Sequence, residues 1–498
     1  MNAFLKRNLL GMTVFVTGGC VLVVEVVAVR VLSPYFGTTI FTVSSVISVI
    51  LAALSLGYYF GGRLADRWPK MQYFFGIIMA SGLAVLAFYL LGVVVLADLS
   101  KALSLTAGPL VASGVLFFLP ALLLGHLSPY AVKLQSVLSP DEGVGTVAGR
   151  IFFWSTLGSI CGSLLAGFVL IPTLGIDKIF MGVGGLLFGL GLAGLFFFEI
   201  KKKVVVALVL VAGTLLAATV FLVQPNQAFH YLHDGIYEKI GVYDGVYRER
   251  PTRFFQQDRS SSGAMFLDAV DEKDLVYDYT KYYAIYEDFG VELDQALVIG
   301  GGAYSIPKAI LASDEDVVVD VAEIEPELYE VAKEFFDLEE SERLRNFAED
   351  GRRFLSDSEG KYDMIFSDVY YSLYSIPAHF TTVEFFQLAY EKLDDGGIFV
   401  ANLIGDLGDE KPSLVRTEMK TFMEAFDNSY FFAVRSPDQI GSAQNIIFVG
   451  YKNDEVVDFV GSEYEEKLIE VDETDLAEDV IFTDNYAPAE YFTAKVLE

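Results

Sequence analysis

Asp294–Phe336 reads DQALVIGGGAYSIPKAILASDEDVVVDVAEIEPELYEVAKEFF. Ala296–Ile299 is a short apolar run that ends at Gly300, Gly301 and Gly302, and Val317–Val321 is a β-branched run that ends near Glu323. The pattern predicts strand, glycine turn, helix, strand, acidic residue, helix: a βαβ unit whose ligand site lies at the strand tips. Glycines at the first tip let a ligand approach the backbone. Glu323, 21 positions after Gly302, is placed to accept both hydroxyls of a ribose. The three spaced glycines of a dinucleotide fingerprint are absent, so the expected ligand is an adenosine-type nucleoside without a pyrophosphate.

The stretch sits in the second part of a chain that changes character near Gln224. Over 498 residues the hydrophobic content is 53% and the mean hydropathy is +0.43, too apolar for one water-soluble domain. Residues 1–227 carry 13 Lys+Arg against 7 Asp+Glu, a net of +6; the remainder carries 22 against 59, a net of −37. Both cysteines, Cys20 and Cys161, lie in apolar runs, so neither a metal cluster nor a disulfide framework is expected.

Seven stretches of the first part reach the roughly 20 apolar residues that a bilayer crossing needs: about 9–32, 40–62, 72–97, 107–130, 152–172, 179–199 and 204–223. Gly158, Gly162 and Gly167 in the fifth, and Gly182, Gly184, Gly185, Gly189 and Gly191 in the sixth, are expected to let helix backbones pack closely. Glu25 is either an ion or substrate site or the partner of Arg30 or Arg150, and His126 is expected near a span end. Gly61–Lys70, GGRLADRWPK, resembles the cytoplasmic loop between the second and third helices of major facilitator transporters, which keeps a transporter reading open. In a seven-span arrangement, ten Lys and Arg residues fall on the side of the amino terminus and three on the other. The positive-inside rule then puts the amino terminus inside and the acidic domain outside. A cytosolic nucleoside ligand requires the opposite, and the expectation here is a cell-membrane protein whose soluble domain faces the cytoplasm.

In the second part, residues 228–290 alternate tyrosines, charges and β-branched residues and predict a small β-meander, followed by a helix around Tyr277–Phe289. Further strands are expected at Asp363–Ser367, Gly397–Asn402, Tyr430–Val434 and Asn445–Gly450, with helices at Glu384–Leu393 and Leu414–Ala425. The organisation expected is a multi-pass α-helical membrane domain (1–227), a meander and lead helix (228–290), and an α/β Rossmann-like, doubly wound domain of the class I methyltransferase type (291–498). Asp350, in the run EDGRRFL, is either an N-cap or an acceptor for an adenine amino group. Asp368 closes the strand in YDMIFSDVYY and is expected to face the reacting atoms, with Tyr370 and Tyr371 beside it. Asp484 or Tyr486, in TDNYAPAEYF, is expected either to fold back over the site or to belong to a closing turn. The acidic surplus argues against nucleic acid as a partner.

VIGGGAYS, VAEIEPELYEVAKEFF, EDGRRFL, YDMIFSDVYY and IPAHFTTVEFF resemble, in order and spacing, the motifs of spermidine synthases, the polyamine aminopropyltransferases. The likeness covers about residues 236–450, and the whole chain resembles the membrane-fused branch of that superfamily. The resemblance implies Glu323 on the ribose, Asp350 on the adenine, Gly300, Gly301 and Gly302 flanking the nucleoside, and Asp368 with Tyr371 at the catalytic positions. It implies decarboxylated S-adenosylmethionine or S-adenosylmethionine as co-substrate, without a metal. In spermidine synthases an aspartate follows the glycine run and holds the aminopropyl amine; that position is Ala303 here, with Tyr304 and Ser305 where further glycines are usual. A second aspartate three positions after the first in the central-strand motif is replaced by Tyr371. Three functions therefore stand side by side: an aminopropyltransferase-like enzyme acting on a small amine or a membrane-embedded substrate, a methyltransferase on the same fold, and a transporter or sensor whose soluble domain binds a nucleoside or polyamine. A homo-oligomer is compatible with each.

Overall fold

A computed structural model describes residues 3–198, 213–214, 228–369, 376–408, 413–472 and 474–497. The chain divides into two compact units, Met1–Pro225 and Asn226–Glu498.

Among its described residues the first unit contains six helices long and apolar enough to cross a bilayer: Asn8–Phe36, Ile40–Arg67, Met71–Ala102, Gly108–Leu138, Val144–Thr173 and Ile176–Phe197. They correspond to the first six expected spans. The seventh, 204–223, lies outside the described residues. Because lipid tails are as apolar as leucine, such helices associate by close backbone packing rather than by escape from water. A Cβ at Gly158 would strike the carbonyl oxygen of Phe15, one at Gly162 that of Gly19, and one at Gly18 that of Ser155. Gly184 and Gly191 press in the same way on Leu86 and Met79, whereas Gly167, Gly182, Gly185 and Gly189 have open space beside them. The fourth span is interrupted at His126, between the helices Gly108–Gly125 and Leu127–Leu138. His126 Nδ1 lies 2.7 Å from the Leu122 carbonyl oxygen. Past this break, Lys133 pairs with Asp66 at 2.7 Å and the Tyr130 hydroxyl donates to the Trp68 carbonyl, anchoring the loop GGRLADRWPK. Arg150, one of the two expected partners of Glu25, pairs with Glu142 at 2.7 Å.

The second unit opens with the expected meander: β1 (Phe229–Asp234), β2 (Lys239–Tyr247), β3 (Arg250–Gln257) and β4 (Ser260–Phe266), antiparallel in that order. The lead helix is a 3-10 helix, Asp278–Glu287. A seven-stranded sheet follows, made of β5 (Gln295–Ile299), β6 (Val318–Ala322), β7 (Leu344–Phe347), β8 (Tyr362–Ser367), β9 (Leu393–Gly405), β10 (Ser429–Ala433) and β11 (Gln444–Tyr451), in the order β10-β11-β9-β8-β5-β6-β7. The five strands from β7 to β9 are parallel, while β11 and β10 run antiparallel at one edge.

Parallel strands covered on both faces need apolar side chains on both, which is why Ala296–Ile299 of β5 is a continuous hydrophobic run and β6 is apolar but for Asp320, which Arg345 and Tyr362 hold. Ala296 and Val298 join one core with Tyr283, Ile310 and Val331, while Leu297 and Ile299 join another with Leu355, Phe385 and Phe422. Helices pack on both faces, and several are capped by side chains at their starts: Thr382 Oγ1 accepts from Phe385 N, and Ser413 Oγ from Arg416 N.

The backbone contact at Gly158 leaves no room for a larger residue, whereas Gly149 on the same helix has nothing within 4 Å. Gly158→Leu is expected to cost about 1–3 kcal/mol or more through overpacking, read as a lower unfolding temperature in detergent; Gly149→Leu should leave that temperature nearly unchanged.

Candidate active site

The strand order reverses beside β5, and the crevice beyond the carboxyl ends of β5, β6 and β8 is where an open α/β sheet binds ligands. A pocket of about 560 Å³ lies there. Its floor is the glycine turn. Gly300 has φ +93°, and a Cβ on it would collide with the Asp368 carbonyl oxygen, so both conformation and space demand glycine. Gly301 is confined by the ring of Tyr304. Tyr304 itself holds a left-handed φ of +57°, a conformation that costs a non-glycine residue about 1–2 kcal/mol. Its fully buried ring, stacked edge-on to Tyr329, and its hydroxyl, which donates to Asn346 Oδ1, keep it there.

Glu323 follows β6 and is 6% exposed. Its Oε2 accepts from Gly301 N at 2.7 Å and Gly302 N at 3.4 Å, and its Oε1 from Glu325 N at 2.8 Å. Burial pushes its pKa up, and these three N–H groups oppose the rise. Asp350 is the N-cap of the helix Gly351–Asp357, accepting from Arg353 N at 3.0 Å, and it also lines the pocket. The two readings of this residue are thus compatible in one geometry. His379 Nε2 lies 3.0 Å from Asp350 Oδ2. Burial raises the Asp350 carboxyl, but the hydrogen bonds from His379 and Arg353 N outweigh it and the net direction is down.

Asp368 stands at the tip of β8, with its N–H donated to the Ile299 carbonyl at 2.9 Å. Its Oδ1 accepts from Asn402 Nδ2 at 2.9 Å, and Tyr279 donates a further hydrogen bond. Burial raises the pKa of this carboxyl, against those two donors. Asn402 in turn accepts from Asn445 Nδ2 at 2.9 Å. The structure therefore brings Gly300, Gly301, Gly302, Ala303, Glu323, Asp350 and Asp368 around one pocket; Tyr370 and Tyr371 lie outside the described residues.

Asp484 does not reach the pocket. It grips Arg352 through two contacts of 2.7 Å and accepts from Thr382 Oγ1 at 2.8 Å, and Tyr486 is 59% exposed. The carboxyl-terminal segment thus braces the helix behind Asp350, because Arg352 offers a bidentate partner there.

Among the pocket residues that sequence reasoning missed are Glu238, Gln257, Tyr279 and Asn402. Glu238 is 5% exposed and accepts from Gln257 Nε2; burial, and then the charge of Glu323, push it well above the ordinary glutamate value. Asn402 carried a signal, being a polar residue that breaks the apolar run IFVANL near the end of β9. The other three belong to a meander and a lead helix that only the tertiary fold brings over the glycine turn.

A doubly wound sheet with a glycine turn, a carboxylate at the neighbouring strand tip and a second at the central one defines an α/β Rossmann-like domain of the class I methyltransferase type. Within that class, residues 288–456 match the spermine/spermidine synthase domain, and the second unit carries such a domain. The chain is 28% identical over 157 residues to a polyamine aminopropyltransferase of Vibrio vulnificus, covering 31% of this chain and 50% of that one. It is 33% identical over 108 residues to one of Agathobacter rectalis, covering 21% and 38%. The chain thus spans half or less of the length of these two relatives. A crystal structure of a probable spermidine synthase from Corynebacterium glutamicum superimposes over 53% of this chain and 98% of its own, with 19% identity and a TM-score of 0.44.

Glu323→Gln removes the charge that three backbone donors converge on. Losing a hydrogen-bonded, charged acceptor in a buried site costs about 1–3 kcal/mol, so methylthioadenosine should bind roughly ten- to a hundredfold more weakly. Calorimetric titration checks this, and unchanged affinity would remove Glu323 from the nucleoside site.

Proposed function

We propose that the chain is a membrane-bound aminopropyltransferase-like enzyme that takes a sulfonium nucleoside, decarboxylated S-adenosylmethionine or S-adenosylmethionine, and an amine acceptor. The observation that carries this reading is Asp368: a half-buried carboxylate oriented by Asn402 and Tyr279, in one pocket with Glu323 and Asp350. The names of the relatives point the same way.

In this reading Glu323 holds the ribose and Asp350 the exocyclic amine of the base. The positive sulfonium sits among carboxylates and tyrosine faces. An alkyl amine has a pKa near that of lysine, about 10, and reaches neutral solution protonated, so it must lose a proton before it attacks. Asp368 takes that proton. The nitrogen lone pair forms the new bond to the propyl carbon, the electrons of the broken carbon–sulfur bond stay on sulfur, and the neutral thioether leaves. Ala303 offers no charge to the transferred amine, so Asp368 is the carboxylate that the described residues present to the reacting end.

Asp368→Asn should lower the rate of methylthioadenosine release about a hundredfold or more, the usual scale for a general base. Since burial raises this carboxyl and only its ionised form accepts a proton, the wild-type rate should climb with pH through a midpoint above the ordinary value of about 4. Release of S-adenosylhomocysteine from S-adenosylmethionine instead would convert the reading to methyl transfer.

A cytosolic co-substrate places the second unit in the cytoplasm. Val270, 92% exposed, reports on this: Val270→Cys in a Cys161→Ser background should escape an impermeant thiol reagent in intact cells and react after lysis. Labelling of intact cells would put the domain outside and end the proposal of cytosolic chemistry.

A further inference from the structure

Arg435 differs from every other arginine of the second unit. Arg248, Arg250, Arg253, Arg345, Arg352, Arg353 and Arg416 pair with carboxylates, Arg343 donates to three backbone carbonyls, and Arg259 also has a partner. The guanidinium of Arg435 has none among the described residues, in a half-chain with a net charge of −37, yet it lines the reaction pocket. Its backbone is fixed: its N–H donates to Gln444 Oε1 at 3.0 Å and its carbonyl accepts from Lys467 Nζ. The other cation on the described pocket wall, Arg248, is held by Asp278 through contacts of 3.1 and 2.6 Å.

The position of Arg435 follows from the sheet. Because β11 runs antiparallel to β9 and β10 antiparallel to β11, the start of β11 and the end of β10 share the edge where β8 and β9 finish. Asp368, Asn402, Asn445 and Arg435 therefore form a row over four adjacent strand tips, joined by the contacts Asn402 to Asp368 and Asn445 to Asn402, both 2.9 Å, and Val434 N to the Asn445 carbonyl, 3.0 Å. Three strand spacings separate its ends, about 14 Å between backbones; Arg435 is exposed at the outer end of the row, and both it and Asp368 line the pocket. Along the row the wall passes from carboxylate through two neutral amides to guanidinium.

Resting on the transferase reading above, we propose that the acceptor is an amine whose far end is anionic, a carboxylate or phosphate bound by Arg435, rather than a diamine. A second ammonium at that end would meet a like charge, whereas an anion obtains the bidentate donor geometry a guanidinium offers. The transfer step is unchanged, with Asp368 taking the amine proton.

A matched pair of ligands tests this: ε-aminocaproate and hexamethylenediamine have similar chains and differ in the charge of the far end. With the full-length protein in detergent and methylthioadenosine present, calorimetry should show ε-aminocaproate binding about tenfold or more tighter than the diamine, the scale of a charge-assisted hydrogen bond. Arg435→Gln should abolish that preference and Arg435→Lys should retain part of it. Tighter binding of the diamine, binding of neither ligand, or a preference that survives Arg435→Gln would overturn the inference. Turnover with the same two acceptors is read separately as methylthioadenosine release. Its absence with both removes the transferase reading, and the binding preference alone then decides the role of Arg435.

Discussion

The site depends on one carboxylate filled by backbone donors. Glu323 sits at the tip of β6 and accepts from the N–H groups of Gly301 and Gly302, which belong to the turn after β5, and from that of Glu325 in its own loop. Two adjacent strand tips are thereby tied through one side chain. Exposed backbone donors near a buried anion are the arrangement that lets the charge persist in a low-dielectric setting. The packing around it is correspondingly tight: Gly300 lies against the Asp368 backbone, and Gly351 leaves no room for a Cβ beside Ile299. Glu323, Asp350 and Asp368 are therefore set relative to one another by close contacts around the tip of β5.

The electrostatics of the pocket are uneven, and the surrounding acidity is a poor guide to them. Most of the surplus negative charge lies on solvated surface, where screening weakens it. Inside the pocket each carboxylate has a distinct environment. Glu323 is stabilised by backbone dipoles, Asp350 by His379 and a helix amino terminus, Asp368 by an amide and a phenol, and Glu238 by Gln257 alone, so that its ionisation is opposed most strongly. Similar residues thus have different proton affinities, the usual condition for assigning different roles to them.

The two units follow different packing rules. In the first, glycines at Gly18, Gly158, Gly162, Gly184 and Gly191 bring helix backbones into contact, since apolar burial alone does not favour helix over lipid. In the second, large aromatic side chains such as Phe366, Phe385, Phe399 and Phe422 fill the space between sheet and helices, where removal from water is itself the driving force.

What the amino-acid sequence by itself determined was everything encoded in local periodicity. Runs of about 20 apolar residues specify the spans, alternation specifies the meander, and an apolar run ending in glycines specifies the βαβ unit and its tip. Gly300, Gly301, Gly302, Glu323, Asp350 and Asp368 were legible because each ends or follows a strand, where side chains face the crevice. What only the tertiary structure decided were the contacts between segments distant in the chain. Glu238 and Tyr279 reach the pocket through the meander and the lead helix, Asp484 turns away to Arg352, and Arg435 joins the row that begins at Asp368. Strand order and antiparallel edge pairing place these residues, and both are set by long-range packing, which leaves no periodic trace in the sequence.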